Sequence, residues 1–181
     1  MPAMEHMAGN LFLIGMMGAG KSTLARRLAS YFSCPFYDSD QAVCQRTGVD
    51  VSTIFEMEGE NGFRNRESRA IDDLTRQKNI VLATGGGAVL REENRWYLSN
   101  RGITVYLHVQ PEVLFARIGK DRNRPLLQVE DGLRRLRDLY MFRDPIYRQV
   151  AHIVIDVGND DCQKTFEHII DAVKNYWDKN D

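Results

Sequence analysis

Cysteine is scarce in this chain and unpatterned. Its three copies, Cys34, Cys44 and Cys162, are odd in number and form no C-x-x-C pair. That argues against a disulfide framework and for reduced thiols in the cytoplasm, each a small packing residue. The four histidines stand apart from one another and from the cysteines, so no zinc site is suggested. No apolar run approaches the roughly 20 residues of a membrane span. Residues 1–7 lack the apolar centre of a signal peptide, and 1–9 read as a flexible lead-in. An excess of one charge is missing too: 24 Lys and Arg face 25 Asp and Glu, for a net charge of −1. Neither an acidic tail nor a nucleic-acid surface follows from that balance. There is no internal repeat and no Pro/Ser-rich linker, and the 181 residues fit a single domain, 1–181. No long apolar stripe is left over on the surface, so a monomer is expected.

What is present is organised around Gly15-Met16-Met17-Gly18-Ala19-Gly20-Lys21-Ser22, which follows the apolar run Leu11-Phe12-Leu13-Ile14. This is the G-x-x-x-x-G-K-[ST] phosphate-binding loop, with a strand before it and a helix after it. Its glycines allow positive φ, so that the backbone N–H groups of Gly18, Ala19 and Gly20 can turn inward onto phosphate oxygens. Lys21 reaches the β- and γ-phosphates, Ser22 is a Mg²⁺ ligand, and the helix opening there adds the positive end of its dipole. Thr23 follows within the same first turn. The motif says that a nucleotide's phosphates and Mg²⁺ are held here, and it leaves the acceptor open.

Along the rest of the chain, short β-like runs alternate with helical ones. Leu24, Leu28, Tyr31 and Phe32 mark the core face of the first helix. Phe36-Tyr37-Asp38 reads as a short strand, and Asp38-Ser39-Asp40 sets two carboxylates at its end, where ligands bind in open α/β sheets. The competing reading is that Asp40 caps the next helix and Asp38 is solvated. A helix over Gln41–Arg46 ends at Gly48, and another from Val51 breaks near Gly59. Arg64 lies among Glu60, Arg66, Glu67 and Arg69, and by spacing alone belongs to a solvated helix face. Ile80–Ala83 is a buried strand closed by Thr84-Gly85-Gly86-Gly87. Consecutive glycines there mean a tight turn or backbone close to a ligand, and the sheet edge favours the ligand. Many phosphate-loop proteins carry a Mg²⁺-organising Asp at the Thr84 position. Its absence leaves Asp38, acting through water, as the carboxylate support.

Ile103–Val109 is another strand, and Pro111 opens a helix that carries Arg117. Residues 118–128, with Arg122 and Arg124, have the composition of a mobile lid. The next helix carries Leu133, Leu136 and Tyr140, with Arg143 at its end before Pro145. His152–Val157 is the last strand, and Phe166, Ile169, Ile170, Val173 and Trp177 stripe the terminal helix. Five strands interleaved with helices imply an α/β three-layer sandwich with a five-stranded parallel sheet. A substrate-binding insert is expected at 40–67 and the lid at 118–128. No N-K-x-D guanine motif is present, and the small size with an arginine-bearing lid suits an ATP-dependent small-molecule kinase. A polyol or sugar-acid kinase, and a binding module without catalysis, are the other readings open from these features.

In order along residues 10–157, the phosphate loop, Tyr-Asp-Ser-Asp (37–40), Ile-Phe…Gly-Glu…Phe-Arg…Glu (54–67), Thr-Gly-Gly-Gly (84–87), Arg-Pro-Leu-Leu (124–127) and Arg-x-Pro-x-Tyr…Val-Ala (143–151) resemble the shikimate kinases. The resemblance implies a fold similar to nucleoside monophosphate kinases. The implied reaction is transfer of the ATP γ-phosphate to the 3-hydroxyl of shikimate, on the route to chorismate and the aromatic amino acids. It implies that Asp40 holds the reacting hydroxyl region, that Arg64 and Arg143 bind the shikimate carboxylate, and that the backbone of Gly86, between Gly85 and Gly87, meets the ring hydroxyls. It places Arg124 on the ATP phosphates, beside Lys21 as a catalytic group, and Arg117 against the adenine. Val157-Gly158-Asn159-Asp160-Asp161 lacks the adenine-side arginine that some relatives carry.

Overall fold

The computed structural model describes residues 7–118, 131–158 and 161–181. Five strands, β1 (Leu11–Ile14), β2 (Phe36–Asp38), β3 (Val81–Ala83), β4 (Ile103–His108) and β5 (Ile153–Asp156), form one sheet in the order β2-β3-β1-β4-β5. All four pairings are parallel. Every residue of β1, β3 and β4 is buried, as strands covered on both faces must be. The edge strand β5 leaves Val154 and Asp156 exposed. The expected α/β sandwich with its five-stranded parallel sheet is the architecture found.

The helices are α1 (Lys21–Tyr31), α2 (Ser39–Thr47), α3 (Val51–Thr75), α4 (Glu92–Asn100), α5 (Pro111–Ile118), α6 (Gly132–Val150) and α7 (Cys162–Asn180). A short 3₁₀ turn spans Ala88–Leu90. Lys21, Leu24, Ala25, Leu28 and Ala29 form the buried face of α1. Tyr31, which the spacing put on that face, is exposed and meets Phe32 and Phe166 edge-on at 5.0 and 5.9 Å. Helix α3 is broken at Gly59 (φ 71, ψ −177), where the sequence placed the break. Met7, assigned by the sequence to the lead-in, is buried in the core beside Cys34.

Two features depart further from expectation. Helix α6 does not end near Arg143; it runs through Pro145 to Val150. An interior proline forfeits the bond to the carbonyl four residues back and costs about 3 kcal/mol. Burial of Tyr147 and Val150 beyond it, each of the order of 1.5–3 kcal/mol for a large apolar side chain, outweighs that penalty. The second departure is at the amino ends of the strands, where Asn10 is buried and satisfied on both sides of its amide. Its Nδ2 donates to the carbonyls of Thr75 (3.3 Å), Gln77 (2.7 Å) and Arg101 (3.2 Å), and its Oδ1 accepts from Ile80 N (3.1 Å). One side chain thus ties the approaches to β1, β3 and β4.

Removing this clamp strands buried carbonyls and an N–H, at about 1–3 kcal/mol for the set. Asn10→Ala is expected to lower the thermal midpoint by about 2–10 °C and to leave both substrate KM values within twofold. Calorimetry and steady-state kinetics on one preparation check this, and an unchanged midpoint would remove Asn10 from the account.

Candidate active site

The carboxyl ends of β1, β2 and β3 open into a cleft of about 330 Å³ lined by the phosphate loop, Asp38, Asp40 and Thr84–Gly86. A larger hollow of about 560 Å³ lies at the amino ends, around Asn10 and residues 75–79. It holds none of the chemistry-bearing residues, so volume does not choose the site.

On the donor side, Gly15 has φ 147 and lies against β4 so closely that a Cβ would sit 2.8 Å from the Leu107 carbonyl. Gly20 is the N-cap of α1 in the left-handed region (φ 92), with no side chain capping the helix. The first amides of α1 are therefore presented to the loop. Lys21 is buried, and its Nζ donates to the carbonyls of Gly15 and Met16, both at 2.7 Å. Ser22 Oγ donates to Asp38 Oδ2 at 2.6 Å. The other oxygen of Asp38 caps α2, accepting from Asp40 N (2.9 Å) and Gln41 N (3.1 Å). The capping role offered as an alternative for Asp40 thus belongs to Asp38, and Asp40 lines the cleft. Thr84 Oγ1 donates to Leu13 O at 2.9 Å, so this position closes the strand. Beside the loop, a cavity of about 250 Å³ lies between Gly18–Gly20, Val157 and Arg117, and Arg117 Nη2 donates to Gly158 O at 3.1 Å. The lid arginines Arg122 and Arg124 lie outside the described residues.

The facing side of the cleft is built on three glycines. A Cβ on Gly85 would meet Asp40 Oδ1 at 2.8 Å and Glu67 Oε2 at 2.9 Å. One on Gly86 would meet Arg143 Nη1 and Met17 N, both at 3.4 Å. One on Gly87 would fall 2.6 Å from the Arg64 Cζ. The turn therefore has close approach as its reason, and it gathers Asp40, Arg64 and Arg143 around one short stretch of backbone. Arg64 is not on a solvated face: its side chain is 11% exposed, and Nη1 pairs with Glu67 Oε1 at 2.8 Å. Glu67 is fully buried, and that burial pushes its carboxyl up, against the opposing pull of Arg64. Among the described residues, Arg64 Nε, Arg143 Nε and Glu67 Oε2 are buried without a hydrogen-bond partner. Two partly buried guanidiniums, each with a buried Nε left without a hydrogen bond, suit an anionic ligand.

The family model for shikimate kinase matches residues 17–174. The chain is 52% identical over 173 residues to the shikimate kinase of Chromobacterium violaceum, covering 96% of this chain and 94% of that one. The chain belongs to the shikimate kinase family. A second relative, from Dechloromonas aromatica, is 56% identical over 147 residues, 81% of this chain and 80% of its own length. Among solved structures, the shikimate kinase of Acinetobacter baumannii in complex with shikimate superposes with a TM-score of 0.87 at 44% identity, covering 92% and 93% of the two chains. That of Aquifex aeolicus gives 0.81 at 32% identity, covering 92% and 97%. As a shikimate kinase family member the chain is an ATP-dependent phosphotransferase.

Within this shikimate kinase fold, sequence reasoning passed over Glu67 as part of a mixed-charge face. The signal that separates it from its neighbours is its place three residues after Arg64, one turn on along the same face of α3. Gly87→Ala places a methyl group in the Arg64 guanidinium, which must swing away. The acceptor KM is expected to rise by about tenfold, the ~1.4 kcal/mol of one charge-assisted contact, with the ATP KM within twofold. An unchanged acceptor KM in steady-state kinetics would show that Arg64 is not placed by this turn.

Proposed function

We propose that this cleft is where the γ-phosphoryl group of ATP passes to the 3-hydroxyl of shikimate, giving shikimate 3-phosphate and ADP, with the residue roles that follow. The observation that carries the reading is the convergence of Asp40, Arg64 and Arg143 on the glycine turn, whose Gly86 also approaches Met17 of the phosphate loop. Acceptor and donor then share one wall.

In the transfer, the acceptor oxygen attacks phosphorus, the bond from phosphorus to the β-phosphate oxygen breaks, and the hydroxyl proton leaves. Asp40 receives that proton and orients the oxygen. Arg64 and Arg143 hold the ring carboxylate at the far end, each charge-assisted bond contributing about 1.5–3 kcal/mol when desolvated. Backbone of Gly85–Gly87 meets the ring hydroxyls. Gly18–Thr23 cradle the phosphates, with Lys21 on the β- and γ-oxygens and Arg124 joining them from the lid. The Arg117–Val157 cavity takes the adenine.

The Ser22 hydroxyl and Asp38 carboxylate form a hard-oxygen pair beside the loop, a donor set suited to Mg²⁺, which few protein ligands and substrate phosphates ordinarily complete. Ser22 would hold it directly and Asp38 through water, and the ion supplies charge neutralisation for the phosphates. The working unit in this reading is a monomer, and the three free cysteines are in keeping with the cytoplasm.

A coupled ADP-release assay tests the assignment: turnover is expected with shikimate and not with gluconate, and equal rates on both would sink it. Asp40→Asn is expected to lower kcat by about 10²–10⁴-fold with ATP affinity within twofold by titration calorimetry. Retained turnover would remove Asp40 as the base.

A further inference from the structure

Tyr147 stands one helical turn beyond Arg143 on α6, so the two side chains share a face. It is fully buried, and its ring stacks on Tyr106 of β4 with centroids 4.9 Å apart. Its hydroxyl lies among three parts of the site. It donates to the Gly86 carbonyl, lies 3.8 Å from Met16 Sδ of the phosphate loop, and feels the positive charge of Arg143, whose Nη1 would stand 3.4 Å from a Cβ on the same Gly86. Burial pushes the phenol up to about 12, so the proton that makes the bond to Gly86 stays in place at neutral pH.

The carbonyl it engages is the one that the glycine turn does not use itself. Gly85 O accepts from Ala88 N at 3.1 Å, and Gly87 O from Leu90 N at 3.1 Å. A peptide plane has two ends, and no peptide among the described residues is cis. Holding Gly86 O therefore also aims the Gly87 N–H, in the opposite direction. The tyrosine thus sets the tilt of a peptide in the turn that approaches Asp40, Arg64 and Arg143. Helix α6 has a seat apart from this hydroxyl: Tyr106 Oη of β4 donates to Asp144 at 2.7 Å. Phenylalanine at 147 would keep the ring stack and the volume and delete only the bridge.

We propose that Tyr147 is a positioning residue for the acceptor: its hydroxyl joins the Gly86–Gly87 peptide and Arg143 into one unit that sets how the carboxylate end of the acceptor is held. This rests on the reading of Gly86 and Arg143 as acceptor-binding groups, and the test is arranged to separate the two claims.

Tyr147→Phe, Arg143→Ala and the double variant are compared in the full chain by steady-state kinetics in both substrates, with thermal unfolding on the same preparations. Tyr147→Phe is expected to raise the shikimate KM about 5- to 20-fold, the effect of one buried hydrogen bond, with the ATP KM within twofold. The double variant is expected to add little to the effect of Arg143→Ala, because the two act as a unit. A raised KM in Arg143→Ala with none in Tyr147→Phe overturns the proposal and leaves the site reading standing. Equal rises in both KM values, or a fall in the unfolding midpoint alone, makes Tyr147 a brace and also overturns it. No effect of Arg143→Ala on the shikimate KM overturns the reading of α6 as the acceptor wall. Should Tyr147→Phe fail to fold, Tyr147→His, whose N–H cannot reach as far, takes its place, with a raised shikimate KM expected and an unchanged one decisive against.

Discussion

A carboxylate with two oxygens can serve two masters, and in this fold Asp38 does. One oxygen caps α2 through the amides of Asp40 and Gln41; the other accepts from Ser22 in the first turn of α1. Strand β3 lies between β2 and β1 in the sheet, and this side chain joins the start of α2 to the phosphate loop across it. Charge-assisted bonds of this kind are about twice as strong as neutral ones. They fix where α2 begins, and with it the direction in which Asp40 enters the cleft.

The glycine turn imposes the complementary constraint, by exclusion. Asp40 and Glu67 crowd one residue of it, Arg143 and the loop backbone the next, Arg64 the third. Groups of both charge signs are brought within van der Waals range of main chain, and the absence of side chains is what lets them arrive there. The burial of Glu67 beneath Arg64 follows from the same crowding. A charge that cannot reach water must be matched by another, and a guanidinium so matched is rigid.

The parts of this molecule that were legible in the sequence are those that local chemistry determines. The phosphate loop, the five strands, the break at Gly59 and the stop at Gly48 each follow from a glycine or an apolar period acting on its own neighbours. Arg64 shows where that reasoning stops. Its neighbours in sequence are charged and α3 has water on one side, so spacing assigns it to the surface; only the resemblance to the shikimate kinases marked it as functional. What buries it is the turn at 84–87, some twenty residues away. Asp38 and Asp40 are legible together as carboxylates at a strand end, but the cap that the competing reading gave to Asp40 is supplied by Asp38, since which carboxylate bends back is decided by backbone angles. Pro145 misled in the other direction: the local penalty is real, and distant packing of Tyr147 overrides it. Asn10 gave no signal at all, because its carbonyl partners come from two stretches of chain far from it, at 75–77 and at 101.

That asparagine sits one strand-length from the chemistry. Five residues of extended chain separate Asn10 from Gly15, about 17 Å at 3.3 Å per residue. Sites farther apart than roughly 7–10 Å with no shared partners combine their free energies additively. The amino ends of the strands are thus a region where stability can drift upward or downward over generations of substitution without rewriting the catalytic constants. The carboxyl ends, where each glycine of the turn lies against one or two charged side chains, allow no such independence. Changes there will be epistatic with one another and blind to changes below.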